Sequence, residues 1–329
     1  MDTVLVAVIL FVGFIIKRLL TTAINPYRFP KIAQWAKQGN YFNFDGHAVF
    51  YYDSHVRDRA ASSKPTLLLL HGYPTSSIDW LDMRDQLEQR FHLIAPDYIG
   101  YGLSAKPVCF PYTINVQANM IEQLMKSLQL ARFHILAHDV GVTIAQELLA
   151  RQVSGRDYVI QTTVFLNGGL FPEMHRAFFM MKLLKTPVLG AIMQAIVPRK
   201  LFGMAINRVF GPSTQRTEQE LDEIKSLLFY NAPYNLVQQL QCYINERLTY
   251  RDRWVNALND VQRLAKNPIR LRLINGPCDP ISGKHLLERY REVVEQPDTC
   301  LLPADIGHYP NMEDPVNTLK YFFAFHDRL

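Results

Sequence analysis

The chain is poor in cysteine and in clustered charge, and each shortage argues against a class of function. Cys109, Cys242, Cys278 and Cys300 are spread over 329 residues. None sits in a C-x-x-C pair or a metal-ligand cluster, so they read as reduced thiols and no metal site is implied. No tract carries five or more like charges, and the net charge of +5 comes from scattered Lys and Arg. That pattern leaves nucleic acid without a basic footprint, and it is not expected as a partner. No Gly-x-Gly-x-x-Gly follows a strand-like run, so no nucleotide cofactor is implied. The sequence also lacks repeats, low-complexity tracts and Asn-x-Ser/Thr sequons.

What is present is an ordinary globular balance, 48% hydrophobic and 20% charged, with one exception at the start. Val4–Ile16 is unbroken apolar sequence, followed by Lys17-Arg18-Leu19-Leu20. Thirteen residues fall short of the roughly 17–25 that a bilayer span needs. Thr3 and the leucines beyond a snorkelling Lys17-Arg18 pair bring the segment near that limit. A cleaved signal peptide would carry its basic residues before the apolar run; here Asp2 precedes it and the basic pair follows. Residues 1–24 are therefore expected to anchor the chain to a membrane, with the remainder on the cytoplasmic side by the positive-inside rule. A buried or amphipathic helix is the alternative.

Asn25–Gln38 reads as a linker. Tyr41–Phe44 and His47–Tyr52 flank Asp45-Gly46, a hairpin signal. Thr66–Leu70, His92–Ala95, Phe133–Ala137 and Thr162–Leu166 are short strand candidates, and the first is continuous apolar sequence suited to burial on both faces. Gln117–Leu128 and Val142–Arg151 have helical apolar spacing. This alternation predicts a mostly parallel, doubly wound α/β sheet. From Phe171 to about Tyr250 no strand signal appears, and strands resume at Ile269–Ile274 and near Thr299–Leu302. The expected organisation is an anchor over 1–24, a core over 25–170, a helical cap over 171–250 and the rest of the core over 251–329. The cap would cover the crevice at the carboxyl ends of the strands.

Phe133–Gly141 carries the strongest chemical signal: an apolar strand running into Ala137-His138-Asp139-Val140-Gly141 ahead of a helix. Small residues flanking a sharp strand-to-helix turn make a nucleophile elbow, which exposes the central side chain. Asp139 alone could equally be a helix cap; the other motifs decide for the nucleophile. The His71-Gly72-Tyr73-Pro74 loop follows the buried strand, so the backbone N–H groups of Tyr73 and Val140 are the candidate oxyanion donors. Asp97–Ser104 reads as a structural loop. Asp279, on the turn after a late strand, is the candidate acid, and His308 completes the order nucleophile, acid, histidine.

Together the His-Gly-x-Pro loop, Asp97–Ser104, the His138-Asp139 elbow, Asp279 and Gly307-His308 resemble the epoxide hydrolase and haloalkane dehalogenase branch of the α/β-hydrolases. Longer strings are similar to the mesoderm-specific transcript family: Asn167–Arg176, Val209-Phe210-Gly211-Pro212, Gly276–Pro280 and His308–Pro315. That resemblance implies a hydrolase of the endoplasmic reticulum membrane. The resemblance to epoxide hydrolases implies cap tyrosines that protonate an epoxide oxygen. Tyr243 resembles one such position, with helix packing as the bland alternative, and Tyr230 and Tyr234 are candidates for the second. Dehalogenases place Trp after the nucleophile, where this chain has Val140, which puts halide binding in doubt.

A carboxylate attacking an ester carbonyl forms a reactive anhydride, whereas attack on an sp³ carbon gives a stable alkyl ester. The expected reaction is therefore opening of an apolar or lipid-like epoxide, and Phe178, Phe179, Met180, Met181 and Met193 in the cap fit such a ligand or simply pack its helices. Hydrolysis of a lipid-like ester and a non-catalytic, membrane-anchored binding role are the alternatives.

Overall fold

The computed structural model describes residues 24–55, 63–176, 199–233 and 235–328. The expected anchor over 1–24, except its last residue, lies outside them, as do Tyr234 and the apolar cap residues Phe178 to Met193. Among the described residues no helix is long and apolar enough to cross a membrane.

Eight strands form one sheet: β1 (Gly39–Phe44), β2 (His47–Asp53), β3 (Thr66–Leu70), β4 (His92–Pro96), β5 (Arg132–Asp139), β6 (Val159–Gly168), β7 (Arg270–Asn275) and β8 (Asp298–Leu301). Their order is β1-β2-β4-β3-β5-β6-β7-β8. The β1–β2 hairpin joins antiparallel to β4, and every pairing from β4 to β8 is parallel. Among the described residues the helices are α1 (Pro30–Gln38), α2 (Leu81–Arg90), α3 (Ile114–Ser127), α4 (Val140–Val153), α5 (Arg199–Asn207), α6 (Glu218–Phe229), α7 (Leu236–Leu240), α8 (Tyr243–Thr249), α9 (Arg251–Asp260), α10 (Lys284–Val293), α11 (Pro310–Glu313) and α12 (Pro315–His326).

Strand alternation explains the layering. Leu68 and Leu70 of β3 face one core, with Met120 and Leu124 of α3 and Leu148 of α4, while Leu67 and Leu69 face the other, with Met83 and Leu87 of α2 and Phe322 of α12. Both faces of β3 are thus buried, which is why its sequence is apolar throughout. Between β6 and β7 the described residues form helices α5 to α9 and no strand.

The linker expected over Asn25–Gln38 is instead ordered: a 3-10 turn at Pro26–Arg28 leads into helix α1. Pro30 opens the helix, where its missing N–H costs nothing. Ile32 and Trp35 then face inward, 1% and 2% exposed. Trp35 stacks on Tyr52 at 4.6 Å, and its indole N–H donates to Ser77 Oγ at 3.2 Å.

Strand order reverses between β3 and β5. The chain leaves β3 toward β4, then crosses back to β5. An open sheet places ligands at the carboxyl ends of the strands flanking such a reversal.

Candidate active site

Asp139 ends β5 and precedes the first residue of α4, with φ 47° and ψ −108°. A left-handed backbone at a non-glycine residue costs about 1–3 kcal/mol and persists where surrounding packing enforces it. The packing here is severe. A Cβ at Gly141 would lie 2.3 Å from the Leu70 carbonyl oxygen, so the helix can leave the turn only without a side chain at that position. Gly141 N–H also donates to the His71 carbonyl at 3.0 Å, fastening the elbow to the loop after β3.

That loop meets the Asp139 side chain. The backbone N–H of Tyr73 donates to Asp139 Oδ1 at 2.9 Å. Val140 opens α4, so its N–H is one of the amides the helix leaves without an internal acceptor. Gly72 lets the two loops touch: a Cβ there would stand 2.7 Å from Asp139 Cβ and 2.8 Å from His138 Nδ1. His71 props the loop from beneath. Its Nδ1–H donates to the Gly72 carbonyl at 2.9 Å, and Nε2 accepts from Tyr98 N–H at 3.3 Å.

On the other side, His308 Nε2 lies 3.3 Å from Asp139 Oδ2, and its Nδ1 lies 2.7 Å from Asp279 Oδ2. Asp279 is fixed by four further donors: Ile281 N–H, Ser282 N–H and Oγ–H, and Asn167 Nδ2–H, at 2.6–3.0 Å. The three chemical groups are buried, at 6% exposure for Asp139 and 3% each for Asp279 and His308. Burial alone would lower the His308 pKa, but the two carboxylates outweigh it and push it up to about 10. Burial likewise works to raise both carboxyls, and the His308 charge and hydrogen bonds overcome it. Asp279 falls to about 2, and Asp139, with Arg247 adding to the effect, sits well below the usual carboxylate range. The shifts run in the direction that favours an imidazolium between two carboxylates.

The quoted sequence strings converge on this histidine. Val209 accepts the His308 N–H at 2.8 Å through its carbonyl, and His138 Nε2–H donates to the His308 carbonyl at 2.8 Å. Glu313 accepts from the backbone N–H groups of Gly211, Gly307 and Tyr309 at 2.8–2.9 Å. Asp97 accepts from Ser77 N–H and Leu103 N–H, both at 2.7 Å, the turn-holding role expected of its loop.

Tyr243 opens α8, is 2% exposed, and lies with its ring centroid 6.0 Å from that of Tyr73. Burial, then the Asp139 charge, raises its phenol well above the ordinary value, while Arg247 opposes them. Tyr230 packs edge-on against Tyr27 at 5.9 Å. Three neighbours escaped the sequence reading. Tyr101, inside the loop read as structural, is buried within electrostatic reach of Asp139 and Tyr243. His175 has both ring nitrogens buried without a partner among the described residues, and burial followed by the charge of Arg247 lowers it to about 4. Arg247 is 2% exposed, and its Nη2–H donates to the Asp139 carbonyl at 3.3 Å. Its four-residue spacing from Tyr243 was the signal available, since i and i+4 share a helix face.

Comparison with known proteins places these features in context. Residues 65–315 match the family model described as the alpha/beta hydrolase fold. The mesoderm-specific transcript protein of Mus musculus is 37% identical over 307 residues, 91% of this chain and 89% of the relative. Among solved structures, a loop variant of haloalkane dehalogenase DbeA from Bradyrhizobium elkanii superposes with a TM-score of 0.69 at 19% identity, covering 88% of this chain and 97% of its own. A membrane phospholipase A, described as a bacterial virulence factor, gives 0.66 at 17% identity, over 99% and 98%.

Proposed function

The chain belongs to the α/β-hydrolase fold family, and within it we propose an enzyme whose nucleophile is the Asp139 carboxylate and whose substrates are apolar or lipid-like epoxides. One observation carries this reading: the two oxygens of Asp139 have separate environments. Oδ1 already accepts from Tyr73 N–H, whereas Oδ2 faces His308 Nε2. Attack through Oδ2 leaves Oδ1 as the ester carbonyl oxygen, already in the oxyanion hole that the next step needs.

Oδ2 forms a bond to an epoxide carbon, the C–O bond breaks, and the electron pair goes to the epoxide oxygen, which takes the Tyr243 phenol proton. Asp139 is now a neutral ester, so His308 loses one of the two carboxylates that raised its pKa and its basicity falls. The imidazolium proton passes to the Tyr243 phenolate and restores the phenol; the neutral His308 then removes a proton from water, whose oxygen forms a bond to the Asp139 carbonyl carbon. Negative charge collects on Oδ1 beside the Tyr73 and Val140 N–H groups, then returns as the C–Oδ2 bond breaks. The alkoxide that departs with the original Oδ2 takes the proton of the new Asp139 hydroxyl, so the diol leaves, the carboxylate is regenerated and His308 is again protonated.

Oxygen labelling tests this route. After a single turnover in ¹⁸O-water, the label should appear in the peptide containing Asp139 and the diol should carry none. Label in the diol would mean direct attack of water on the epoxide. Hydrolysis of a lipid-like ester is the second reading, favoured by the fold shared with the phospholipase; the anhydride that Asp139 would form with an acyl group counts against it. We also propose that residues 1–24 hold the enzyme at a membrane, for which the endoplasmic reticulum with a cytoplasmic catalytic domain is the expected setting.

A further inference from the structure

Arg247 is a buried cation that no described carboxylate pairs with. Its Nε–H donates to Thr143 Oγ1 at 2.8 Å and its Nη2–H to the Asp139 carbonyl at 3.3 Å, while Nη1 is buried without a partner among the described residues. The guanidinium carbon stands 4.6 Å from the centroid of the Tyr243 ring. Gly169 makes room for it, since a Cβ there would fall 2.1 Å from that carbon. Burying an unpaired charge costs several kcal/mol, so packing alone is a poor account of an arginine here. Leu or Met would fill the same space without that cost.

Resting on the epoxide reading, we propose that Arg247 is a positioning residue that acts as the fixed counter-cation of ring opening. Before the step, negative charge resides on Asp139, whose backbone the guanidinium holds. After it, Asp139 is a neutral ester and the charge lies on the Tyr243 phenolate, whose ring the same guanidinium faces. The charge therefore moves between two groups that flank one immobile cation, and no solvent has to reorganise. A fixed charge in a dry site is worth most under these conditions. The ring-face contact adds the attraction between a cation and an aromatic system.

The role separates from mere scaffolding by the demand of the leaving group. An epoxide needs the Tyr243 proton; an alkyl sulfonate of the same carbon skeleton leaves without one. Rates of Asp139 adduct formation are measured on the full chain in single turnovers, by quenched flow and mass spectrometry. The variants are R247Q, R247K, Y243F and the double variant R247Q/Y243F, each first shown to melt cooperatively. R247Q should lower the epoxide-to-sulfonate rate ratio about tenfold, or 1.4 kcal/mol. R247K should recover part of that loss. In the Y243F background, R247Q should leave the ratio unchanged, because the group it acts through is gone. Equal slowing with both electrophiles, or a further fall of the ratio in Y243F, would overturn the proposal and leave Arg247 a scaffold residue. An unmodified Asp139 in the parent enzyme with both reagents would instead sink the nucleophile reading, and this inference with it.

Discussion

Asp279 Oδ2 lies 2.7 Å from His308 Nδ1, and three other groups donate to the same oxygen. The acid therefore fixes the imidazole's orientation with Nε2 toward Asp139. Replacing Asp279 with Asn removes the charge and leaves the wrong hydrogen-bonding pattern. We expect Asp279→Asn to retain adduct formation but to slow adduct hydrolysis by about 10³–10⁴, the scale seen when an orienting acid is lost from a triad. Pre-steady-state kinetics would then show a burst followed by slow turnover; loss of the burst would place Asp279 in the first step.

Ionisation of His308 gives a pH signature with a definite sign. Its folded pKa is raised from the ordinary 6.5 to about 10. The stability it contributes is present below pH 6.5 and lost as pH rises through 10. Asp279, lowered from 3.8 to about 2, behaves oppositely: its contribution is present above pH 3.8 and disappears as pH falls through 2. Melting temperature should therefore fall between pH 7 and pH 10 in the parent and less so in His308→Gln. Parallel profiles would contradict the ion triad.

Buried neutral histidines set the acid limit. Burial, opposed in part by the hydrogen bond to Gly72, lowers His71 to about 3, and burial lowers His134 and His326 to about 4. The unfolded chain takes up these protons near pH 6.5 while the folded chain resists, so stability is lost as pH falls from 6.5 toward 4. His71 is the most consequential, since protonating Nε2 breaks the bond from Tyr98 and loosens the Tyr73 loop. Unfolding followed by circular dichroism should show this decline well above the carboxylate range.

Gly72→Ala should damage activity more than stability. The added methyl meets Asp139 Cβ and the His138 ring, and must displace the loop that carries the Tyr73 donor. Loss of one oxyanion donor costs roughly 3–4 kcal/mol in the transition state. Gly141→Ala instead meets backbone, the Leu70 carbonyl, and should destabilise the fold by about 1–3 kcal/mol or more. Chemical denaturation beside single-turnover rates distinguishes the two.

Trp35→Ala tests the helix found where a linker was expected. Its indole is 2% exposed between Tyr52 and Ser77, so truncation should cost about 3–5 kcal/mol, as for other buried tryptophans. A linker residue would cost nothing measurable.

Much of the site was legible because its chemistry imposes local sequence. The elbow must have Gly141 where it meets the Leu70 carbonyl, and β3, buried on both faces, must be apolar, so Thr66–Leu70 was read with its observed boundaries. Other features depend on what lies across the fold. Nothing in Pro30–Gln38 itself reveals that Tyr52 and Ser77 await Trp35. β6 extends to Gly168 past the apolar stretch because Asn167 is needed inward, on Asp279. A buried arginine such as Arg247 has the same sequence appearance as a solvated one. His175 and Tyr101 lay inside recognised strings, yet only tertiary packing brings them to Asp139.

The nucleophile claim is tested most directly by trapping its product. The full chain carrying His308→Gln, incubated with a panel of apolar epoxides and mapped by peptide mass, should accumulate a stable adduct on Asp139, because attack proceeds while the base for hydrolysis is missing. A folded variant that gains no mass on Asp139 from any epoxide, or that is modified at another residue, would contradict the account.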